Sequence, residues 1–183
     1  MRQPVLIEAP DAGALSSPFD IAQIKAFNAV YSDTSDNVYS VALRGAIRKA
    51  EDYTGQALLR GVYRMYYEAL VVAGKLSRIK VPGFDADVTA IQNLAGQEIS
   101  ASYSTRRSAR NGTAYLVPSE DGWPDSMVVD EFVVVANRGL TPETLAVYGS
   151  VELAVALKTD EAFLRDTNVS PQFLSLLRNY RSA

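Results

Sequence analysis

The chain contains neither cysteine nor histidine among its 183 residues. The lack of cysteine excludes a disulfide framework and a thiol nucleophile. The two absences together remove the usual ligands of zinc and the imidazole that most general bases use. Carboxylates, lysine, tyrosine or a Ser-Lys pair could still perform catalysis. We therefore expect no resident metal and no cofactor, and an enzyme is the less favoured class of function.

Long apolar runs are also missing. The longest runs, which include residues 69–73 and 132–136, have five residues each, whereas about 20 are needed to cross a bilayer. The N-terminus has Arg2 followed by acidic Glu8 and Asp11, which is not the basic-then-apolar layout of a signal peptide. We expect no membrane-spanning segment and no membrane partner.

The rest of the composition is typical of a globular protein. Hydrophobic residues make up 48% of the chain and charged residues 21%, which is enough to bury a sizeable core. The length fits one domain, or one domain with an insertion. The glycine-rich nucleotide-binding signatures and the G-x-S-x-G signature of hydrolases are absent.

The charges are divided unevenly along the chain. The formal net charge of the chain is −3. Residues 60–110 carry eight basic and four acidic side chains, whereas the rest of the chain carries ten basic and seventeen acidic side chains. We expect a basic central region and acidic flanks. Arg106, Arg107 and Arg110 lie beside Asn111-Gly112, a strong hairpin signal. Such a hairpin tip could contact phosphate or an acidic partner, or it could be a solvated loop.

Helical patterns occupy both ends of the chain. A long helix is predicted by an apolar stripe spaced alternately four and three residues apart: Tyr39, Leu43, Ala46, Ala50, Tyr53 and Ala57. Three other helix starts are predicted by a capping hydroxyl followed by proline: Ser17-Pro18, Thr141-Pro142 and Ser170-Pro171. The first 17 residues lack sustained periodicity and are predicted to form an extended arm.

Between these ends the pattern changes to that of strands. Strands are predicted over residues 62–70, 76–81, 88–94, 99–103, 114–117 and 128–136. The order helix, helix, strands, helix, helix predicts an α+β fold. We expect a helical core made of residues 18–59 and 138–183, with a central antiparallel β insertion over residues 60–137.

Two acidic pairs are weak candidates for chemistry. Asp85 and Asp87 could ligate a hard cation, but the residues after them turn into a strand, so we interpret the pair as a turn. Glu51 and Asp52 are adjacent on a helix and therefore point about 100° apart, which makes them a poor catalytic pair.

The last helix carries an apolar stripe at helical spacing, formed by Phe173, Leu176, Leu177 and Tyr180. A stripe of this kind must be covered either by the rest of the chain or by another subunit. The residues alone leave both alternatives open, and intramolecular packing is the usual outcome for a globular protein.

Three stretches, in this order along the chain, resemble the head–tail connector (adaptor) family of long-tailed bacteriophages. The first is DIAQIKAF at 20–27 with AIRKAEDYTG at 46–55, which resembles the two opening helices of that family. The second is Gly122-Trp123-Pro124, a valine-rich strand and NRGLTP at 137–142. The third is FLSLLRNYR at 173–181, which resembles the closing leucine-rich helix.

The resemblance implies a non-enzymatic virion protein of the neck, between capsid and tail, made in the cytoplasm of the bacterial host. Such proteins assemble with copies of themselves into a ring, usually of twelve, beneath the portal protein. The ring extends the channel for genomic DNA and accepts a stopper, terminator or tail protein on its other side. The family's C-terminal segment commonly inserts into the portal, which implies these portal-interface candidates: Phe173, Leu176, Leu177, Tyr180 and Arg181.

Two other classes of function stay open at this point. A DNA-binding accessory protein would use the basic hairpin, and its affinity would fall steeply with salt. An enzyme working through carboxylates would need a strongly perturbed buried acid in a pocket.

Overall fold

The computed structural model combines helices with antiparallel strands, and the predicted α+β class is confirmed. The chain divides into two compact units. The β unit comprises Met1–Ser16 and Arg60–Gly139, and the helical unit comprises Ser17–Leu59 and Leu140–Ala183. The structure describes residues 2–10, 15–30, 36–70, 75–108, 113–164 and 170–181.

Six α-helices and seven strands occur in these described residues. The helices are α1 Ile21–Phe27, α2 Asp36–Thr54, α3 Asp125–Val129, α4 Pro142–Val147, α5 Gly149–Phe163 and α6 Pro171–Leu177. The strands are β1 Leu6–Glu8, β2 Gly61–Tyr67, β3 Ile79–Val81, β4 Asp87–Asn93, β5 Tyr103–Arg107, β6 Ala114–Pro118 and β7 Phe132–Arg138. A single 3₁₀ turn, Arg178–Tyr180, follows α6.

The core of the helical unit lies between α2 and α5. Four members of the predicted stripe on α2 are buried there, namely Tyr39, Leu43, Ala46 and Ala50. The Tyr39 ring lies 5.2 Å from the ring of Phe163 on α5. Burial of this stripe follows from its spacing, because residues three and four apart share one face of a helix.

The first helix begins later than predicted. Asp20, rather than Ser17, is its N-cap, since its carboxylate accepts the backbone N–H of Ala22 at 2.9 Å. The Ser17 hydroxyl instead accepts the N–H of Phe19 at 3.2 Å and forms a local turn. Both side chains are good caps, and the hydrogen bond that Asp20 makes decides where the helix starts.

The helix predicted to start at Thr141 is interrupted. Thr141 does cap it, because its hydroxyl accepts the N–H of Thr144 at 3.2 Å and Thr144 reciprocates at 2.8 Å. At Tyr148 the backbone leaves the helical region, with φ −106° and ψ 43°. Gly149 then begins α5, so one predicted helix becomes two.

The β unit contains two antiparallel sheets. The four-stranded sheet has the order β1-β2-β7-β4, and the three-stranded sheet has the order β3-β6-β5. Side chains from both sheets form one apolar core, which includes Met65, Tyr67, Leu116, Trp123 and Phe132. The rings of Tyr67 and Phe132 stack 5.2 Å apart.

Three predicted strands are displaced. The strand predicted over 99–103 is wrong, because Ile99 donates its N–H to the Ile91 carbonyl at 2.7 Å in a segment that turns back along β4, and β5 begins only at Tyr103. The strand predicted from residue 128 begins at Phe132, after the short helix α3. The one predicted over 76–81 is restricted to β3.

The N-terminal segment that was expected to be an arm is part of the four-stranded sheet. Leu6 pairs with Tyr66, and Glu8 pairs with Arg64. Ser16 and Arg60 exchange backbone hydrogen bonds of 2.8 Å. Pairing satisfies the backbone groups of this segment, a long-range effect that its own sequence does not encode.

Candidate interaction surfaces

The C-terminal helix α6 packs within its own unit. The Ser170 hydroxyl accepts the N–H of Phe173 at 3.3 Å, so the predicted cap is confirmed. Phe173 and Leu177 are buried, and the Phe173 ring lies 6.3 Å from that of Tyr53 on α2. These two side chains therefore belong to the core of the helical unit, and only the other predicted portal-interface residues keep accessible surface.

The end of the chain is also held by specific contacts. The Tyr180 hydroxyl is 2.7 Å from the hydroxyl of Ser150, and the Tyr180 carbonyl accepts from the side chain of Gln56 at 3.2 Å. The guanidinium of exposed Arg181 lies 5.6 Å from the ring of Tyr53. Leu176 and Tyr180 are half-buried. The accessible part of the predicted surface is thus Leu176, Tyr180 and Arg181.

Two members of the predicted arginine cluster, Arg106 and Arg107, lie on one strand. This strand is β5, where successive side chains point to opposite faces. Arg107 donates to the carbonyl of Ala86 at 3.1 Å and lies 3.9 Å from the carboxylate of Asp85. Arg106 is exposed and has no hydrogen-bond or ion-pair partner in the described residues. Arg110, with Asn111 and Gly112, lies outside them.

Asp85 is an ion-pair centre in a turn. Its φ is 47°, in the left-handed region that Asp tolerates better than most residues. Its carboxylate lies 3.9 Å from Arg60 as well as from Arg107, and Arg60 also donates to the carbonyl of Gly139 at 3.0 Å. The Asp85 carboxylate is therefore neutralised by two arginines, which supports the turn interpretation.

Charge is nearly balanced within each unit. The β unit has ten basic and eleven acidic side chains, and the helical unit has eight basic and ten acidic side chains. The expected contrast between basic sheet and acidic helices does not hold for the structural units. The reason is that residues 111–139, which are acidic, fold with the basic segment.

The acidic pair on α2 has a structural role. The Glu51 carboxylate accepts the backbone N–H groups of Leu58 at 2.8 Å and Leu59 at 3.2 Å, and so closes the turn after α2. Asp52 is exposed. Within the described part of the chain, no group of three potential metal ligands occurs. The helices described are too short or too polar to cross a bilayer.

One surface was not predicted from the sequence. Val5, Leu6 and Ile7, on and beside β1, are 62%, 59% and 38% exposed. The signal that could have revealed it is the short apolar run between Pro4 and Pro10, which is typical of a strand.

No protein-family model matches the chain, and no curated protein matches its sequence. Solved structures do match its fold over nearly the whole length. A chain in the neck of an empty gene transfer agent (GTA) particle, computed with C6 symmetry, superposes with a TM-score of 0.76 at 14% identity, covering 98% of this chain and 96% of that one. This chain has the fold of a neck protein.

Two further solved structures match the fold of this chain. A chain in the virion of a native GTA particle has a TM-score of 0.69 at 18% identity, and it covers 100% of this chain and 96% of that one. A chain in the neck of a native GTA particle computed with C12 symmetry has a TM-score of 0.67 at 17% identity, with the same coverage. The likeness includes both units, because it spans the entire sequence.

Proposed function

We propose that this protein is a structural virion protein of the neck, a head–tail connector that forms a ring under the portal protein. The ring would extend the DNA channel and join the capsid to the tail. The observation that carries the proposal is the superposition over 98% of the chain with a subunit of a particle neck. The resemblance of three sequence stretches to the connector family is independent of the fold, and it indicates the same location in the virion, the neck.

The symmetry of the similar structures supports a ring. Two of them are necks computed with C6 and with C12 symmetry. We propose twelve copies of this chain, arranged so that each subunit contacts two neighbours through two different faces. In this assembly the helical unit is the connector core and residues 60–137 are its β insertion.

The proposed portal contact is the accessible end of the helical unit. Leu176, Tyr180 and Arg181 keep accessible surface on the C-terminal segment, and the buried side chains of Phe173 and Leu177 anchor that segment in the helical unit. We propose that the portal binds the first three residues, and that a stopper, terminator or tail protein binds on the opposite side of the ring.

The proposed role is structural and not catalytic. Glu51 makes backbone hydrogen bonds, and Asp85 is paired with two arginines. Both carboxylates are therefore used in maintaining the fold. The alternative of a DNA-binding accessory protein is less well supported, because Arg107 is engaged within the β unit and Arg106 projects from the opposite face of β5.

Electron microscopy of the purified protein, alone and mixed with its portal, tests the proposal. We expect a symmetric ring either in solution or on the portal. A protein that stays monomeric in both samples would contradict the connector function, and salt-dependent DNA binding should then be measured.

A matched pair of variants tests the portal surface. Arg181→Ala should weaken binding to the portal, whereas Arg44→Ala, which removes an exposed arginine elsewhere in the helical unit, should not. Equal binding of both variants would place the portal contact on another surface.

A further inference from the structure

The strand β1 has a sequence pattern that conflicts with its position. Val5, Leu6 and Ile7 form a continuous apolar run, which is typical of a strand covered on both faces. In the structure β1 lies at the edge of the four-stranded sheet, and residues 5–9 are all exposed. Leu6 shares one face with Tyr66, and Ile7 shares the other with Met65, so both faces of this edge carry apolar side chains.

The opposite edge of the same sheet is protected. Beside β4, Asn93 donates its N–H to Gln97 at 2.9 Å, and Ile99 donates to Ile91 at 2.7 Å. A register shift between Val88 and Ala90 also distorts that strand. Covering segments and bulges of this kind prevent edge-to-edge pairing. The four-stranded sheet therefore has one protected edge, at β4, and one open edge, at β1.

The three-stranded sheet also has one covered and one open edge. Beside β3, Arg2 donates its N–H to Arg78 at 2.9 Å and accepts from Lys80 at 2.8 Å. At the other edge, the residues of β5 from Ser104 to Arg107 are all exposed. Among the described strands, the β unit thus has two open edges, one in each sheet.

We propose that the open edge of β1 pairs with the open edge of β5 from a second copy of this chain. This inference rests on the proposed ring, because repeated head-to-tail pairing of two different edges is the interface that a closed ring requires. Addition of a strand to an exposed edge is a common mode of association, in which backbone hydrogen bonds provide affinity and side chains provide register.

The two edges are matched in length and charge. Pro4 and Pro10 lack backbone N–H groups, so they limit pairing at β1 to the five residues between them. The strand β5 also has five residues. Glu8, which is 57% exposed, projects from β1, where its carboxylate accepts from the Tyr66 hydroxyl at 2.8 Å and lies 3.9 Å from Arg64. Arg106 projects from β5 without a partner in the described residues. The exposed Glu8 carboxylate of a neighbouring copy can therefore supply the opposite charge to Arg106.

Crosslinking of introduced cysteines tests this pairing on a clean background, since the natural chain has no cysteine. The test variant is Leu6→Cys with Thr105→Cys, at exposed positions within the two edge strands. A bifunctional thiol reagent spanning about 8 Å reaches both opposite and diagonal neighbours in a sheet. Under conditions where the wild-type protein forms rings, we expect a denaturing gel to show a ladder of covalent oligomers.

Two control variants define the specificity of the crosslink. Leu6→Cys with Leu76→Cys places the second thiol on an exposed residue outside both edge strands and should give no ladder. Leu6→Cys alone should stay monomeric. Dimers from this single variant would indicate pairing of β1 with β1, and would overturn the proposal.

A second experiment tests whether the edge is needed for assembly. Val5→Lys with Leu6→Lys should abolish ring formation and leave the circular dichroism spectrum and the thermal transition unchanged, because both residues are exposed. The matched control, Leu76→Lys with Leu94→Lys, changes two leucines that are 68% and 58% exposed and should still form rings.

The outcomes separate this inference from the proposed function. If wild-type rings form but the test variant gives no ladder, the strand pairing is wrong and the connector function stands. If the wild-type protein forms no ring, either alone or with its portal, both proposals fail.

Discussion

At the scale of the residue, similar side chains in one stripe have different roles. Phe173 and Leu176 are both apolar members of the C-terminal helix, but Phe173 is fully buried against α2 and α5 and Leu176 is half-exposed. Their spacing on the helix is the same as in any amphipathic helix. What differs is the cavity that each substitution to alanine would leave.

We predict that Phe173→Ala lowers the free energy of unfolding by about 3–5 kcal/mol, the usual cost of removing a buried aromatic ring. Leu176→Ala should cost about 1 kcal/mol or less, since part of its side chain is already solvated. Urea denaturation followed by circular dichroism measures both values. Equal losses would mean that α6 does not pack as described.

The two adjacent arginines of β5 should also differ. Arg107→Ala removes the hydrogen bond to the carbonyl of Ala86 and the ion pair with Asp85, and it should lower the free energy of unfolding by about 0.5–1 kcal/mol. Arg106→Ala should leave stability unchanged, because the side chain has no partner in the described residues. Thermal denaturation of the two variants at low and moderate salt checks the difference.

At the scale of the element, helix caps determine where helices begin. The reciprocal hydrogen bonds of Thr141 and Thr144 start α4, directly after β7. The pKa of the Glu143 carboxyl is lowered, first by its own backbone N–H and then by the Thr141 hydroxyl. A lowered pKa means that the charged carboxylate is the form that the cap favours.

We predict that Thr141→Ala lowers the free energy of unfolding by about 1 kcal/mol, as expected for loss of an N-cap. The same substitution should raise the pKa of Glu143 toward its ordinary value of 4.5. Because the pKa is lowered in the folded state, the carboxylate stabilises α4 above the unfolded pKa, and this contribution is lost as the pH falls through the folded pKa. An NMR titration of Glu143 in both proteins measures the shift.

The Thr141→Ser variant is the control for that experiment. Serine retains the capping hydroxyl, so both the stability and the pKa of Glu143 should stay close to the wild-type values. If Thr141→Ser behaves like Thr141→Ala, the effect comes from the methyl group of threonine and not from the cap.

At the scale of the whole molecule, the position of α6 decides whether the C-terminal segment can be removed. If the apolar stripe of this segment served only the portal, removal of the segment would leave a folded subunit. In the structure, α6 packs against α2 and α5, and its Phe173 and Leu177 side chains are buried. Truncation should therefore damage the helical unit and not merely remove a binding segment.

We predict that deletion of residues 170–183 lowers the cooperativity of unfolding and exposes apolar surface in the helical unit. Binding of a hydrophobic dye and loss of helical signal beyond that of α6 itself would show this. A truncated protein with a sharp wild-type transition would indicate that the segment is separable, and would restore the view that its apolar stripe serves the portal alone.

The amino-acid sequence was sufficient for features that depend on neighbours three or four positions apart. The buried stripe of α2 and the caps Thr141 and Ser170 are of this kind, because helix periodicity and capping are local interactions. The resemblance to phage connectors also came from short local stretches and agrees with the neck-protein fold.

Only the tertiary structure decided the features that depend on distant partners. The pairing of β1 with β2, the engagement of Arg107 by Asp85 and the burial of Phe173 against Tyr53 each join segments that are far apart in the chain. Local sequence patterns do not specify such pairings, since a strand or an amphipathic helix can be covered by many alternative surfaces. The physical reason is that burial depends on which surfaces the whole fold brings together.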